Sequence, residues 1–302
     1  MPVSLAPTTR ARVQALLLGL LLVLFLTISG CTVLDNWQRQ KIYRPTPGDA
    51  IGSTGLPAGT ERYQIALRPP QPAPTSDAAA QTLALWWLPQ ERTDAPALLY
   101  LHGTFRNLSE NRHKIDALRD AGFSVLAVDY RGWGLSSAIV PSEQTIMQDA
   151  RLAWEELVRR QPAAIRRVIY GHSMGSGVAV ALASQLRYPQ DYAGLILESA
   201  FTSFPEVARN AGILPRLLFL GSRERFDSLG KIAQVHAPLL MMHGRQDRTI
   251  PIQLGLKLFD AAQPPKQWLT IDEGDHSDLD QVAPQQYRGA LEDFRMRFLA
   301  AP

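Results

Sequence analysis

The chain has 302 residues, 46% of them hydrophobic and 20% charged, with 31 Lys+Arg against 28 Asp+Glu and a single cysteine. This composition excludes disorder and provides enough apolar mass for one large domain core. One Cys excludes an internal disulfide and a cysteine-based structural zinc site, and a formal charge of +3 is ordinary for solubility and does not point to nucleic acid.

Residues 1–30 read as an export leader. Arg10 and Arg12 precede an uninterrupted apolar or Gly run, Ala15 to Leu26, with no acid anywhere in the segment. The run matches the roughly 7–15 residues of a signal h-region and falls short of the ~20 that cross a bilayer comfortably. Ile28-Ser29-Gly30-Cys31 then resembles a bacterial lipobox: a branched aliphatic, two small residues and a Cys. That resemblance implies cleavage before Cys31 and a diacylglyceryl group on its sulfur. Several acyl chains hold a protein stably at a membrane, where one would not. The alternative is a signal anchor with an incidental Cys. Thr32, in place of an acid, favours the outer over the inner membrane under the same resemblance. The expected location is therefore the bacterial cell envelope, with the rest of the chain outside the cytoplasm. Removing residues 1–30 takes two arginines and no acid, which brings the net charge from +3 to +1; no nucleic-acid partner is implied.

Residues 31–59 show little periodicity and carry Pro45, Pro47, Gly48, Gly52, Gly55 and Pro57, so this stretch is expected to be a tether, followed by one domain over 60–302. Two strands are expected at Arg62–Leu67 and Gln81–Leu88, separated by a Pro-rich loop that cannot join a sheet. Beyond them short apolar segments alternate with amphipathic ones. The strands are expected at Ala97–Leu101, Phe123–Asp129, Arg167–Tyr170, Gly194–Glu198, Pro238–His243 and Gln267–Ile271. The helices are expected at Ser109–Asp120, Glu143–Arg160, Met174–Arg187, Leu254–Ala262 and Gln285–Leu299. This is an α/β pattern with a mostly parallel sheet covered on both faces, whose working residues belong on loops at the carboxyl ends of strands.

Four such loops carry chemistry. After Ala97–Leu101 comes His102-Gly103-Thr104, an early strand–helix loop able to offer a backbone N–H to an oxyanion. Thr104 is the candidate donor, with Phe105 behind it, and His102 is read as bracing the loop. After Arg167–Tyr170 comes Gly171-His172-Ser173-Met174-Gly175, a G-x-S-x-G nucleophile elbow leading into a small-residue helix. Ser173 is the candidate nucleophile and the Met174 N–H the second oxyanion donor. After Pro238–His243 comes Gly244-Arg245-Gln246-Asp247, and after Gln267–Ile271 comes Gly274-Asp275-His276-Ser277-Asp278. A Ser hydroxyl needs a base, and the base needs a carboxylate to fix its tautomer. The order Ser173…Asp247…His276 fits that requirement, with each residue after a different strand. Asp247 is preferred to its rival Glu198, and His276 is the one of six histidines on a post-strand loop beyond the acid.

These motifs resemble the α/β-hydrolase superfamily. Asp129-Tyr130-Arg131-Gly132-Trp133-Gly134-Leu135-Ser136 and Phe226-Asp227-Ser228-Leu229 are similar to segments of the serine-aminopeptidase-like and bud-emergence-type hydrolases. Arg131 and Trp133 are read as bracing the turn. His102-Gly103-Thr104-Phe105 departs from the H-G-N-A often found in the bud-emergence-type proteins. The resemblance, over roughly residues 60–300, implies an α/β-hydrolase fold and a serine hydrolase with no metal and no organic cofactor. Residues 203–233 occupy the interval where this superfamily inserts a cap, which would line an acyl pocket or pack as a surface helix. The expected activity is cleavage of esters or thioesters of hydrophobic, lipid-like acyl groups. The alternatives are an aminopeptidase-type serine peptidase and a non-catalytic envelope lipoprotein of the same fold.

Overall fold

The computed structural model describes residues 32–50, 55–67, 80–104 and 106–299. The leader, Cys31, Phe105 and most of the Pro-rich loop after the first strand lie outside these residues. A helix over residues 32–43 (α1) precedes β1 (Glu61–Ala66), β2 (Thr82–Leu88), β3 (Ala97–Leu101), α2 (Arg112–Asp120), β4 (Ser124–Asp129) and α3 (Glu143–Arg160). A short 3₁₀ turn then leads to β5 (Arg167–His172), α4 (Met174–Ala183), β6 (Gly194–Glu198), α5 (Phe204–Asn210), α6 (Ile213–Leu218) and α7 (Leu229–Ile232). The chain closes with β7 (Leu239–Gly244), α8 (Ile252–Ala261), β8 (Lys266–Ile271), α9 (Leu279–Val282) and α10 (Pro284–Phe298).

The eight strands form one sheet in the order β1-β2-β4-β3-β5-β6-β7-β8. Only β1–β2 and β2–β4 pair antiparallel; β4 through β8 run parallel. A parallel interior needs helical crossovers on both faces, so β3 to β7 are buried along their whole length and read as continuous apolar runs. One core, with Ile146, Trp154, Val178 and Leu258, fills one face; the other is filled by Ile115, Tyr287, Leu291 and Phe294. Helix α4 (MGSGVAVALA) is buried at every position, because its small side chains let it lie flat against the sheet. In register, Leu101 sits opposite Gly171, His172 opposite Glu198, and Glu198 opposite Met242. The carboxyl ends of β3, β5, β6 and β7 therefore finish at one level, where the site residues gather.

The stretch expected as a tether is structured where it is described. Tyr43 of α1 is fully buried and its hydroxyl donates to Glu224. Beyond the helix, Gly48 N donates to Gly134 O at 2.8 Å and Gly134 N donates to Thr46 O at 2.9 Å, stitching residues 46–48 to the turn after β4. Asn107 adds hydrogen bonds to the carbonyls of Thr46 and Gly48. Part of residues 31–59 is thus domain rather than spacer. Tyr43, Thr46 and Gly48 are held by partners about 60 to 180 positions away, so the Pro and Gly residues at 45, 47 and 48 shape a bound connection.

Residues 203–233 hold α5, α6 and α7 over the carboxyl edge of the sheet. Their return to the body is pinned by Glu143, whose carboxylate accepts from the backbone N–H of Arg225 and Phe226. Buried Glu224 accepts from Glu143 N and pairs with Arg39, so it joins α1, α3 and the insertion at one point.

Candidate active site

The elbow after β5 is as tight as its glycines require. A Cβ on Gly171 would lie 2.2 Å from Gly175 O, and one on Gly175 would lie 1.9 Å from Leu101 O. No side chain fits at either position. Ser173, between them, has φ 56 and ψ −124, a conformation that L residues rarely hold. Its N–H donates to Glu198 O at 3.0 Å, which fixes the apex against β6. The hydroxyl is thereby projected out of the sheet into the space above it.

His276 Nε2 lies 2.8 Å from Ser173 Oγ, and His276 Nδ1 lies 2.9 Å from Asp247 Oδ2. The ionised Asp247 can only accept, so Nδ1 carries the proton and Nε2 is left to accept from the serine hydroxyl. The other oxygen of Asp247 accepts from Thr249 N at 2.9 Å and Ile250 N at 2.7 Å. Burial pushes the Asp247 carboxyl up, but hydrogen bonding from His243 and His276, with the backbone N–H of Ile250, outweighs it and holds the group well below the ordinary carboxylate range. Asp247 stays charged at any working pH.

The loop bearing His276 is held from several sides. Its carbonyl accepts from His172 Nε2 at 3.0 Å and Ser199 Oγ at 3.1 Å. Its N–H donates to Asp275 Oδ1 at 2.8 Å, and Asp275 is itself held by Arg248 and by a turn with Asp278. His172 is therefore more than the variable residue of the elbow. Burial, then the nearby Lys114 charge, drive its pKa well down, so the ring is neutral and donates from Nε2. His172 also lines, with Asn111 and Ser277, a small recess of about 10 Å³ beside Ser173.

The remaining candidates fall around this row. Met174 is the first residue of α4, so its N–H has no partner within the helix. Thr104 and Met174 both border the space above Ser173, and the Trp133 indole N–H donates to Thr104 O, locking the loop. His102 is fully buried and directs Nδ1 to Gly103 O at 2.7 Å, with its ring packed 4.5 Å from that of Tyr130. Arg131 is buried on Asp149, which receives both its backbone N–H at 2.8 Å and its Nε at 2.7 Å. Both residues brace turns.

Glu198, the rival acid, serves elsewhere. Its Oε1 accepts from Lys114 Nζ at 2.6 Å, and its Oε2 accepts from the hydroxyls of Tyr170 and Tyr287. Lys114 also reaches Asp280 Oδ1 at 2.9 Å, and both Lys114 and Glu198 are completely buried. Burial pulls the lysine's pKa down, but the two carboxylates outweigh it and keep the ammonium charged. Sequence pattern gave no sign of this cluster, since Lys114 sits in an otherwise ordinary amphipathic helix.

Ser173 opens into a cavity of about 1470 Å³, well above the roughly 300–1,000 Å³ of an ordinary small-molecule site. Its walls come from α1, α5 and α6, with side chains such as Trp37, Phe204, Val207 and Leu218. Among the described residues no Asp or Glu lines it, while Lys41 and Arg44 do. No cluster of potential metal ligands is found among the described residues.

Comparison with known proteins agrees with the fold. The family model described as serine aminopeptidase, S33, matches residues 94–223. An uncharacterized protein of Mycobacterium tuberculosis is 36% identical over 252 residues, which cover 82% of this chain and 83% of that protein. The lysophosphatidylserine lipase ABHD12 of Danio rerio is 33% identical over 202 residues, 61% of this chain but only 51% of the lipase. Among solved structures, an esterase of Pyrococcus furiosus superposes with a TM-score of 0.67 at 19% identity, covering 84% of this chain and 98% of the esterase. The chain has the α/β-hydrolase fold and belongs to one family with the Mycobacterium tuberculosis protein.

Proposed function

We propose that the protein is a serine hydrolase that cleaves esters or thioesters of long hydrophobic acyl groups through an acyl-enzyme, and that it is anchored to the membrane of a bacterial envelope through Cys31. The observation that carries the enzymatic reading is the continuous row Ser173–His276–Asp247 opening into a large, mainly apolar cavity.

In this reading Ser173 Oγ attacks the carbonyl carbon as its proton passes to His276 Nε2. Asp247 holds the Nδ1–H and stabilises the imidazolium that forms. The N–H groups of Met174 and Thr104 receive the oxyanion at the positive end of α4. Collapse of the tetrahedral species breaks the C–O or C–S bond, and His276 returns its proton to the leaving alcohol or thiol. Water then attacks the acyl-enzyme by the reverse sequence and releases the acid and Ser173. No cofactor is called for by these steps.

The cavity wall favours acyl groups over peptides. Holding a free α-amine takes a carboxylate, and none lines the cavity among the described residues. The lipase activity carried in the name of the ABHD12 relatives points the same way. A fluorophosphonate probe on the full chain, compared with Ser173→Ala, tests the reading. Absence of Ser173-dependent labelling would remove it and leave a binding protein. Faster turnover of aminoacyl anilides than of any acyl ester would replace it with a peptidase. Release of a Cys31→Ala chain from the membrane fraction would support the anchor, and unchanged processing would remove it.

A further inference from the structure

Among the described residues, a cluster of exposed large apolar side chains frames the mouth of the cavity. Val33, Leu34 and Trp37 on α1 are between 51% and 69% exposed, and Ile213, Leu214, Leu217 and Leu220, on and just after α6, are between 52% and 79% exposed. Solvent-facing leucines scattered singly need no explanation, but seven large apolar side chains on two adjoining segments do. The two segments are bonded to each other: Gln38 Nε2 donates to Leu218 O at 3.1 Å and to Leu220 O at 3.0 Å. Leu34, Trp37, Leu214 and Leu217 also line the cavity, so the patch and the opening are continuous.

The sequence next to this patch says what covers it. Cys31, the proposed attachment point, immediately precedes α1, which begins at residue 32. At ~3.3–3.6 Å per residue, Val33 and Leu34 stay within about 10 Å of Cys31. The rim is also basic. Between residues 209 and 225 the chain carries Arg209, Arg216, Arg223 and Arg225, all exposed, against one acid, Glu224, which is buried. Exposed apolar side chains with exposed arginines close to them in the chain, next to an attachment point, are what an anionic lipid interface attracts.

We infer that the α1/α6 rim is the face that rests in the membrane interface, so that the cavity opens onto the bilayer and receives the acyl chain of its substrate directly from the lipid. This rests on the acyl-hydrolase reading and on attachment through the N-terminal segment. A chain moving from leaflet to cavity never crosses water, which removes the hydrophobic penalty of extracting it. Anchoring and access then become one geometry: α1, which follows directly on the attachment point in the chain, forms part of the opening.

The test uses the full chain in vesicles of phosphatidylcholine with brominated acyl chains, with and without phosphatidylglycerol. Bromine quenches only at close range. Emission that disappears in Trp37→Phe should be quenched by these vesicles, more strongly when phosphatidylglycerol is present. The double variant Val33→Glu/Ile213→Glu alters two exposed residues that do not line the cavity. It should abolish the quenching and lower the hydrolysis of a long-chain monoacyl ester carried in vesicles by roughly ten- to thirtyfold. Its rate on a soluble short-chain ester should stay within about twofold of wild type, as expected of surface substitutions. Unquenched Trp37 emission in a chain that still cleaves the soluble ester overturns the inference and leaves the hydrolase reading intact. So does an equal loss on both substrates, checked with Val33→Ser/Ile213→Ser in case the acidic pair perturbs folding. A dimer that Ile213→Glu dissociates, with no quenching, would assign the patch to a second copy of the chain. Loss of soluble-ester cleavage in Ser173→Ala is the separate control for the hydrolase reading.

Discussion

The backbone at Ser173 offers a test in which stability should move against its usual direction. Ser173→Ala and Ser173→Gly both delete Oγ and its 2.8 Å hydrogen bond to His276, so both are expected to be inactive. They differ in one methyl group on a backbone at φ 56, ψ −124, the geometry a type II′ turn reserves for glycine. Holding a Cβ-bearing residue there costs on the order of 1–3 kcal/mol. Glycine brings back about 0.5–1 kcal/mol of unfolded-state freedom, which works against it. At the middle of these ranges the Gly variant is more stable than the Ala variant by about 1 kcal/mol, and by at most about 2.5, although Ala→Gly elsewhere is destabilising. Urea unfolding of the two purified full-length variants, followed by tryptophan fluorescence and compared at equal m values, reads this directly. A Gly variant equal to or weaker than the Ala variant would show that the elbow stores no backbone strain, and the account of how Ser173 is presented would have to change.

Other expectations follow from the same geometry. Asp247→Asn keeps the shape but cannot fix the protonated Nδ1 of His276; kcat on a soluble ester should fall on the order of 10³–10⁴-fold with KM little changed, by steady-state kinetics. Lys114→Met leaves Glu198 and Asp280 buried without their cation and should cost about 3–5 kcal/mol in denaturant melts, and adding Glu198→Gln and Asp280→Asn should recover much of that loss. Burial pushes the Asp129 carboxyl up to about 7 against its ordinary 3.8. The folded state therefore binds the extra proton between those values, and this contribution to stability is lost as pH rises from about 4 to 7. Melts of Asp129→Asn across that interval should lack the slope that wild type shows; parallel curves would refute the shift.

The site was legible because its residues sit where short strands end, and strands buried on both faces are plain apolar runs. Gly171-His172-Ser173-Met174-Gly175 combines a spacing with a steric reason for it. Asp247 and His276 follow from chain order and position after β7 and β8. What stayed hidden depends on distant partners. Helix α1 has too few core-facing residues to show a period, since Val33, Leu34 and Trp37 face outward or toward the cavity while Tyr43 meets Glu224 across 181 positions. Lys114 reads as a solvent-facing lysine until β6 and α9 bring Glu198 and Asp280 to it. The grip of His172 on the His276 loop likewise exists only once β5 and β8 stand in one sheet.

The wall that α1 gives the cavity has a consequence for how this protein can vary. Leader and catalytic body are usually exchangeable parts, joined by a stretch that tolerates any length. Here the first twelve described residues follow directly on the attachment point proposed above and also wall the cavity above Ser173. A chain shortened to begin at residue 60 would keep Ser173, His276 and Asp247 and lose a flank of the chamber. Under the proposed function, changing how the molecule is moored would therefore also change which acyl groups it can hold.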